Sequence, residues 1–179
     1  MAEATDKHDP AAATWARKPG QSFEDYMKSR VARYAERTYD FNALKFQADL
    51  DPRYKRAQMR YIGTGGTGVA SDANTVPSAH FTFSTMVIPA GGIGPMHIHV
   101  DVEEVFFVMR GKMKIFCEKR NDDGTVERWE STLNERDAIS VPPGVYREEH
   151  NIGQAERTAD GVCQRERHVH GSQRRRLLR

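Results

Sequence analysis

From residue 81 to residue 151 the chain is punctuated too often to hold helices. Phe81, Phe83, Met86, Val87 and Ile88 mark a run that ends at Pro89 and Gly91-Gly92. Glu104 to Met109 and Lys112 to Glu118 flank Gly111. Thr125 to Ser131 follows the turn Asn121-Asp-Asp-Gly124, and Ala138 to Val141 and Val145 to Asn151 are separated by Pro142-Pro143-Gly144. Each run has strand length and each stop is made of residues that turn the chain. Many short strands at short intervals fold as a sandwich or a barrel.

Within this region, Gly94 to Gly111 carries two histidines one residue apart and then a pair of glutamates. Residues i and i+2 of a strand face one side, so His97 and His99 project together, about 7 Å apart along the strand. A glutamate from the next stretch adds a carboxylate. Two imidazoles and one carboxylate, with positions left open, suit non-haem Fe(II). Imidazole also suits Zn, Ni and Cu, and the carboxylate admits Mn. The plain alternative is a half-exposed strand whose histidines bind nothing.

The spacing resembles the first motif of the cupin superfamily, G-x5-H-x-H-x(3,4)-E-x6-G. Gly91, His97, His99, Glu104 and Gly111 fit it without a gap, and Glu103 fits the ending less well. The second motif, G-x5-P-x-G-x2-H-x3-N, is matched by Pro142, Gly144 and Asn151, with Arg136 at the leading glycine position and Arg147 at the histidine. The resemblance covers about residues 79–153. It implies a mainly β fold, an antiparallel jelly-roll-type barrel, dimeric in many relatives, with a metal inside its mouth held by His97, His99 and Glu104.

Arg147 breaks the pattern. Arginine stays protonated and is not an ordinary metal ligand. Two readings follow. The metal survives on three ligands and Arg147 clamps an anionic substrate, or Arg147 replaces the metal and pairs with Glu104. His150 lies on the opposite strand face from 147, 149 and 151, so it is a poor substitute ligand. Asn151 has a plain reading as a strand-end residue that bonds backbone. Tyr146 and Trp129 are candidates to line the mouth.

Outside the barrel region the texture differs. Residues 1–20 read as a mobile arm, and 21–76 as a helical and loop extension packing on a barrel of 77–153. Ser22 and Asp25 form a helix-start pattern ahead of Phe23, Tyr26, Met27, Val31 and Tyr34. A second helical stretch is expected over about 41–60, interrupted near Asp51-Pro52. Gly63 to Gly68 is half of a phosphate-binding loop without its lysine, and reads as a plain loop. Residues 154–179 hold no apolar run, although a cupin barrel needs a further strand there. Either this is a basic disordered tail or the reading frame shifts near Gln154. One permitted codon choice for Glu156 onward, less one nucleotide, encodes an apolar run.

Bulk properties exclude several classes. Seven of the 27 basic residues and three of the 25 acidic ones fall in 154–179, leaving 20 against 22 elsewhere, which argues against a nucleic-acid-binding body. The two cysteines form no C-x-x-C pair or disulfide framework. No signal-peptide core and no apolar run near ~18 residues is present, so a cytoplasmic protein without membrane partners is expected. The function expected is a metal-dependent oxidation of dioxygenase type on a small anionic organic acid, by a homodimer with Fe(II) as the favoured metal and Mn, Ni or Zn as alternatives. The competing expectations are isomerase or lyase chemistry at the same metal, and a non-catalytic ligand-binding barrel.

Overall fold

The computed structural model describes residues 17–63, 75–78, 81–153 and 159–167. Two short helices lead the chain, α1 (Phe23–Ser29) and α2 (Lys45–Ala48). Among the described residues nine strands follow: β1 (Ala57–Ile62), β2 (Phe81–Ile88), β3 (Ile93–Ile98), β4 (Val102–Arg110), β5 (Lys112–Arg120), β6 (Val126–Asn134), β7 (Ala138–Val141), β8 (Tyr146–Asn151) and β9 (Ala159–Arg167). They form a five-stranded sheet in the order β1-β2-β9-β4-β7 and a four-stranded sheet in the order β3-β8-β5-β6. Every named strand pairing is antiparallel. This is the jelly-roll arrangement that the turn pattern and the motif resemblance predict.

The core lies between the sheets. Phe106 and Val108 of β4 and Val141 of β7 meet Met113 and Ile115 of β5 and Leu133 of β6. Alternation along each strand puts these side chains on one face, and each contributes roughly 1.5–3 kcal/mol by leaving water. One strand breaks the rule that the inner face is apolar. On β8 the buried positions are Arg147, Glu149 and Asn151. Buried polar groups are retained where they are bonded or used, so β8 marks the site.

The turns explain the motif glycines. Gly91, Gly111 and Gly144 all have positive φ (73°, 91° and 78°), a region closed to most side chains. Arg136 stands at the fourth such position, with φ 72°, and among the described residues it is the one non-glycine in that region. Asn151 ties the motifs together. Its Nδ2 donates to the Ile88 carbonyl at 2.7 Å, its backbone N–H to the Gly92 carbonyl at 3.0 Å, and its own carbonyl accepts from Gly91 at 3.1 Å.

The N-terminal extension packs on the barrel. Ala43 and Leu44 join Met86 and Ile88 in an apolar cluster, and Asp40 bridges Gln58 in both directions at 2.9 and 3.1 Å. Ser22 caps α1 as its spacing predicts, accepting from the Asp25 N–H at 3.0 Å. The helix ends at Ser29, so Val31 and Tyr34 lie beyond it, and none of its residues is buried.

Three expectations need correction. The helical stretch over 41–60 shrinks to α2 and a single 3-10 turn at Pro52–Tyr54, and 57–60 belong to β1. The barrel therefore starts inside the segment read as extension. Residues 159–167, read as part of a tail, form β9 between β2 and β4. Pairing is a matter of backbone N–H and C=O groups, and this proline-free segment supplies them to two strands whose edges otherwise stay open. The N-terminal arm through residue 16 and the glycine loop at 64–68 lie outside the described residues.

Candidate metal centre

Three strands of the two sheets bring the site together. β3 ends in His97 and Ile98, with His99 one residue beyond. β4 points Glu104 inward, and β8 points Arg147 inward. His97 and Arg147 are cross-strand partners, as are Gly94 and Glu149, so β3 has three steps where β8 has two. That irregularity re-aims the end of β3. The Gly144 N–H of the Pro-Pro-Gly turn then holds the His99 carbonyl at 2.8 Å.

The donor atoms converge. His97 Nε2 lies 3.6 Å and His99 Nε2 3.4 Å from the same oxygen, Glu104 Oε2, and one donor atom from each residue falls within 4.8 Å of the others. The imidazole centroids are 5.1 Å apart and nearly perpendicular, at 83°. Ligands held about 2.0–2.2 Å from one metal lie roughly 3–3.5 Å from each other, so the spacing fits a shared ion. Two further features support the fit. His97 Nδ1 sits 2.8 Å from the Pro95 carbonyl, which can only accept, so Nδ1 is the donor there and Nε2 is the nitrogen turned toward Glu104. His99 Nε2 is buried and has no hydrogen-bond partner among the described residues.

Arg147 is fully buried and engages the same carboxylate. Its Nε–H donates to Glu104 Oε2 at 2.8 Å, and Nη1 donates to the Val145 carbonyl at 3.1 Å. The structure thus brings together His97, His99, Glu104 and Arg147. His150 lies on the other face, bonded to Glu148, with its ring centroid 4.8 Å from that of Phe116 at a tilt of 56°.

Glu149 is a member of the site that the motif spacing does not reveal. Burial pushes its carboxyl above the ordinary range. Arg56, His97 and Arg147 pull it back, and Glu104 pushes it further up. Its carboxylate fills the space where a side chain at position 94 would begin. A Cβ on Gly94 would lie 1.7 Å from Glu149 Oε1, so any other residue there would have to displace the Glu149 carboxylate. The available signal was the alternation of Arg147, Glu149 and Asn151 on one face.

Two facing antiparallel sheets with two imidazoles and a carboxylate converging between them define a class of small β-sandwich or barrel proteins with a metal-ligand cluster inside. The family follows from the sequence comparison. A model described as Cupin matches residues 55–163, more than half of the chain, and the chain belongs to the cupin family. No curated protein matches it. Among solved structures, Peruvianin-I, a cysteine peptidase from Thevetia peruviana latex, superposes with a TM-score of 0.57 at 13% identity, covering 87% of this chain and 81% of its own. The CENP-C cupin domain of Drosophila melanogaster gives 0.52 at 14%, with 84% of each chain covered. An oxalate oxidase gives 0.50 at 19%, covering 64% of this chain and 52% of its own, so the likeness spans about half of that protein. The likeness is one of fold, and one fold hosts many functions. No helix among the described residues is long and apolar enough to cross a membrane.

Proposed function

We propose that the chain is a metal-dependent cupin that oxidises a small anionic organic acid with dioxygen. The observation that carries this reading is the convergence of His97 Nε2, His99 Nε2 and Glu104 on one point. These three residues would hold the ion, with Fe(II) favoured by the two-histidine, one-carboxylate set and Mn, Ni or Zn compatible with it. A redox-active ion such as Fe(II) would supply redox chemistry with dioxygen and leave coordination positions for substrate, whereas Zn would act only as a Lewis acid. Pro95 fixes the tautomer of His97, and the Gly144 N–H fixes the backbone of His99. Arg147 contributes a fixed positive charge beside the ligands. Its Nε and Nη1 are engaged within the protein, so it favours an anionic substrate through its field rather than through a two-pronged clamp.

A second reading rests on one bond. Arg147 Nε meets Glu104 Oε2, the oxygen that both histidines face. In that reading the guanidinium takes the place of the ion and the barrel binds a small ligand without turning it over. Oxygen uptake separates the two. Protein supplied with Fe(II) and a panel of small carboxylic acids consumes oxygen in the first reading, and the His97→Ala/His99→Ala variant does not. Saturable binding of an acid with no uptake under any of the metals supports the second.

A further inference from the structure

A groove opens beside the site, between the edge strands of the two sheets, with a volume of about 420 Å³. That falls within the range that accommodates a small organic ligand. Its floor is apolar and formed by Cys117, Ile139, Val141 and Val145, which border the core. The register places it against the candidate metal centre. Cys117 is the cross-strand partner of Arg147, and Val141 is the cross-strand partner of Glu104. The Arg147–Glu104 pair therefore lies one strand behind the groove floor.

Trp129 lines the same groove. It is the cross-strand partner of Cys117, so the two share the inner face of their sheet, yet Trp129 is 53% exposed. An indole open to a concave apolar surface offers a stacking plate. Four charged side chains stand at the rim, and three are engaged. Glu118 accepts from Arg120 and Arg128 at 2.7 and 3.0 Å, and Glu127 accepts from Asn121 at 3.0 Å. Among the described residues Lys119 is the rim charge with no hydrogen bond or ion pair. It sits at the Pro-Pro-Gly turn, its Nζ 3.5 Å from where a side chain on Gly144 would begin.

We infer that this groove is a subsite for a planar aromatic carboxylate, with the ring on Trp129 and the carboxylate at Lys119. This rests on the reading of the barrel as a binder of small organic acids and narrows that class to acids carrying an aromatic ring. Two floor residues, Cys117 and Val141, are the cross-strand neighbours of Arg147 and Glu104, which puts the groove beside the candidate metal centre.

The test uses 2-naphthoate and the uncharged 2-naphthalenemethanol as probes, with the full-length protein, each titrated with and without added Fe(II). 2-Naphthoate binds saturably at one site per chain. Trp129→Leu weakens both probes about tenfold, in keeping with the loss of one stacked ring pair. Lys119→Met weakens 2-naphthoate about fivefold and leaves the alcohol unchanged, as expected for a solvent-exposed charge pair. In the unmutated protein, 2-naphthoate slows alkylation of Cys117, followed by peptide mass spectrometry in alkaline buffer because burial pushes this thiol up. Unaltered affinity in Trp129→Leu, or unprotected Cys117 at saturating 2-naphthoate, overturns the inference. Metal content measured on the same samples keeps the two claims apart. An absent metal with intact naphthoate binding sinks the oxidation and leaves the subsite standing. A bound metal with no naphthoate binding does the reverse.

Discussion

Arg147 and Glu104 form a fully buried ion pair, with Nε 2.8 Å from Oε2, at the point where two histidines converge. The guanidinium gives Glu104 a permanent positive partner inside the barrel. A divalent ion held by the histidines would share Oε2 with it or take the other oxygen, so the pair would lower metal affinity.

Removing the guanidinium exposes this competition. Arg147→Met keeps a long apolar side chain and takes away the charge. Breaking a buried pair by deleting one partner costs about 3–5 kcal/mol, so metal-free Arg147→Met should unfold at markedly lower urea. Added Fe(II) or Mn(II) should recover part of that loss and bind more tightly than to the parent. Equilibrium urea unfolding with and without metal checks both. A variant that is destabilised and takes no benefit from metal would mean that the site is an ion pair and nothing more.

Glu149 makes stability depend on pH in a direction opposite to most carboxylates. Burial raises its carboxyl above the ordinary value of 4.5, so the native state keeps the proton to higher pH than the unfolded chain does. Stability is then full below 4.5 and falls as pH rises through the elevated native value. Glu149→Gln holds the neutral shape at every pH. In chelator-treated protein, the variant should melt higher than the parent at pH 7 and alike at pH 4. Equal melting temperatures across the range would show that Arg56, His97 and Arg147 balance the charge completely.

Arg136 occupies a turn position where the other motif turns carry glycine. The left-handed region costs a residue with a Cβ about 1–2 kcal/mol, and glycine loses roughly 0.5–1 kcal/mol of that gain through its greater freedom when unfolded. Arg136→Gly should therefore stabilise the fold by about 0.5–1 kcal/mol without changing metal content or activity. Thermal and urea unfolding of the pair of proteins check it.

Most of the barrel was legible because turn residues are local signals. The glycines at 91, 111 and 144, the Asn121–Gly124 hairpin and the Pro142-Pro143-Gly144 stop mark where β2 to β8 begin and end, each to within a few residues. β1 was not legible. Ala57, Gln58, Met59 and Arg60 are all buried, so the strand is covered on both faces and shows no alternation. β9 was hidden for a different reason. Its place is set by two neighbouring strands that need a partner, and nothing in Ala159–Arg167 states that need. The strand this segment forms pairs on both sides along its length. His97 and His99 were readable as a pair because a strand fixes which residues share a face, and Glu104 joined them through the resemblance to the first cupin motif. Glu149 was not, because its meaning depends on Gly94, which comes beside it only through the pairing of β3 with β8.

On the proposed function, His97, His99 and Glu104 hold a transition metal despite Arg147. The most direct measurement is elemental analysis of the purified full-length protein beside His97→Ala/His99→Ala, after growth with Fe, Mn, Ni and Zn supplied. The parent should carry close to one transition-metal ion per chain and the double variant almost none, with both proteins folded by circular dichroism. A parent protein without stoichiometric metal, or a double variant that retains it unchanged, contradicts the claim.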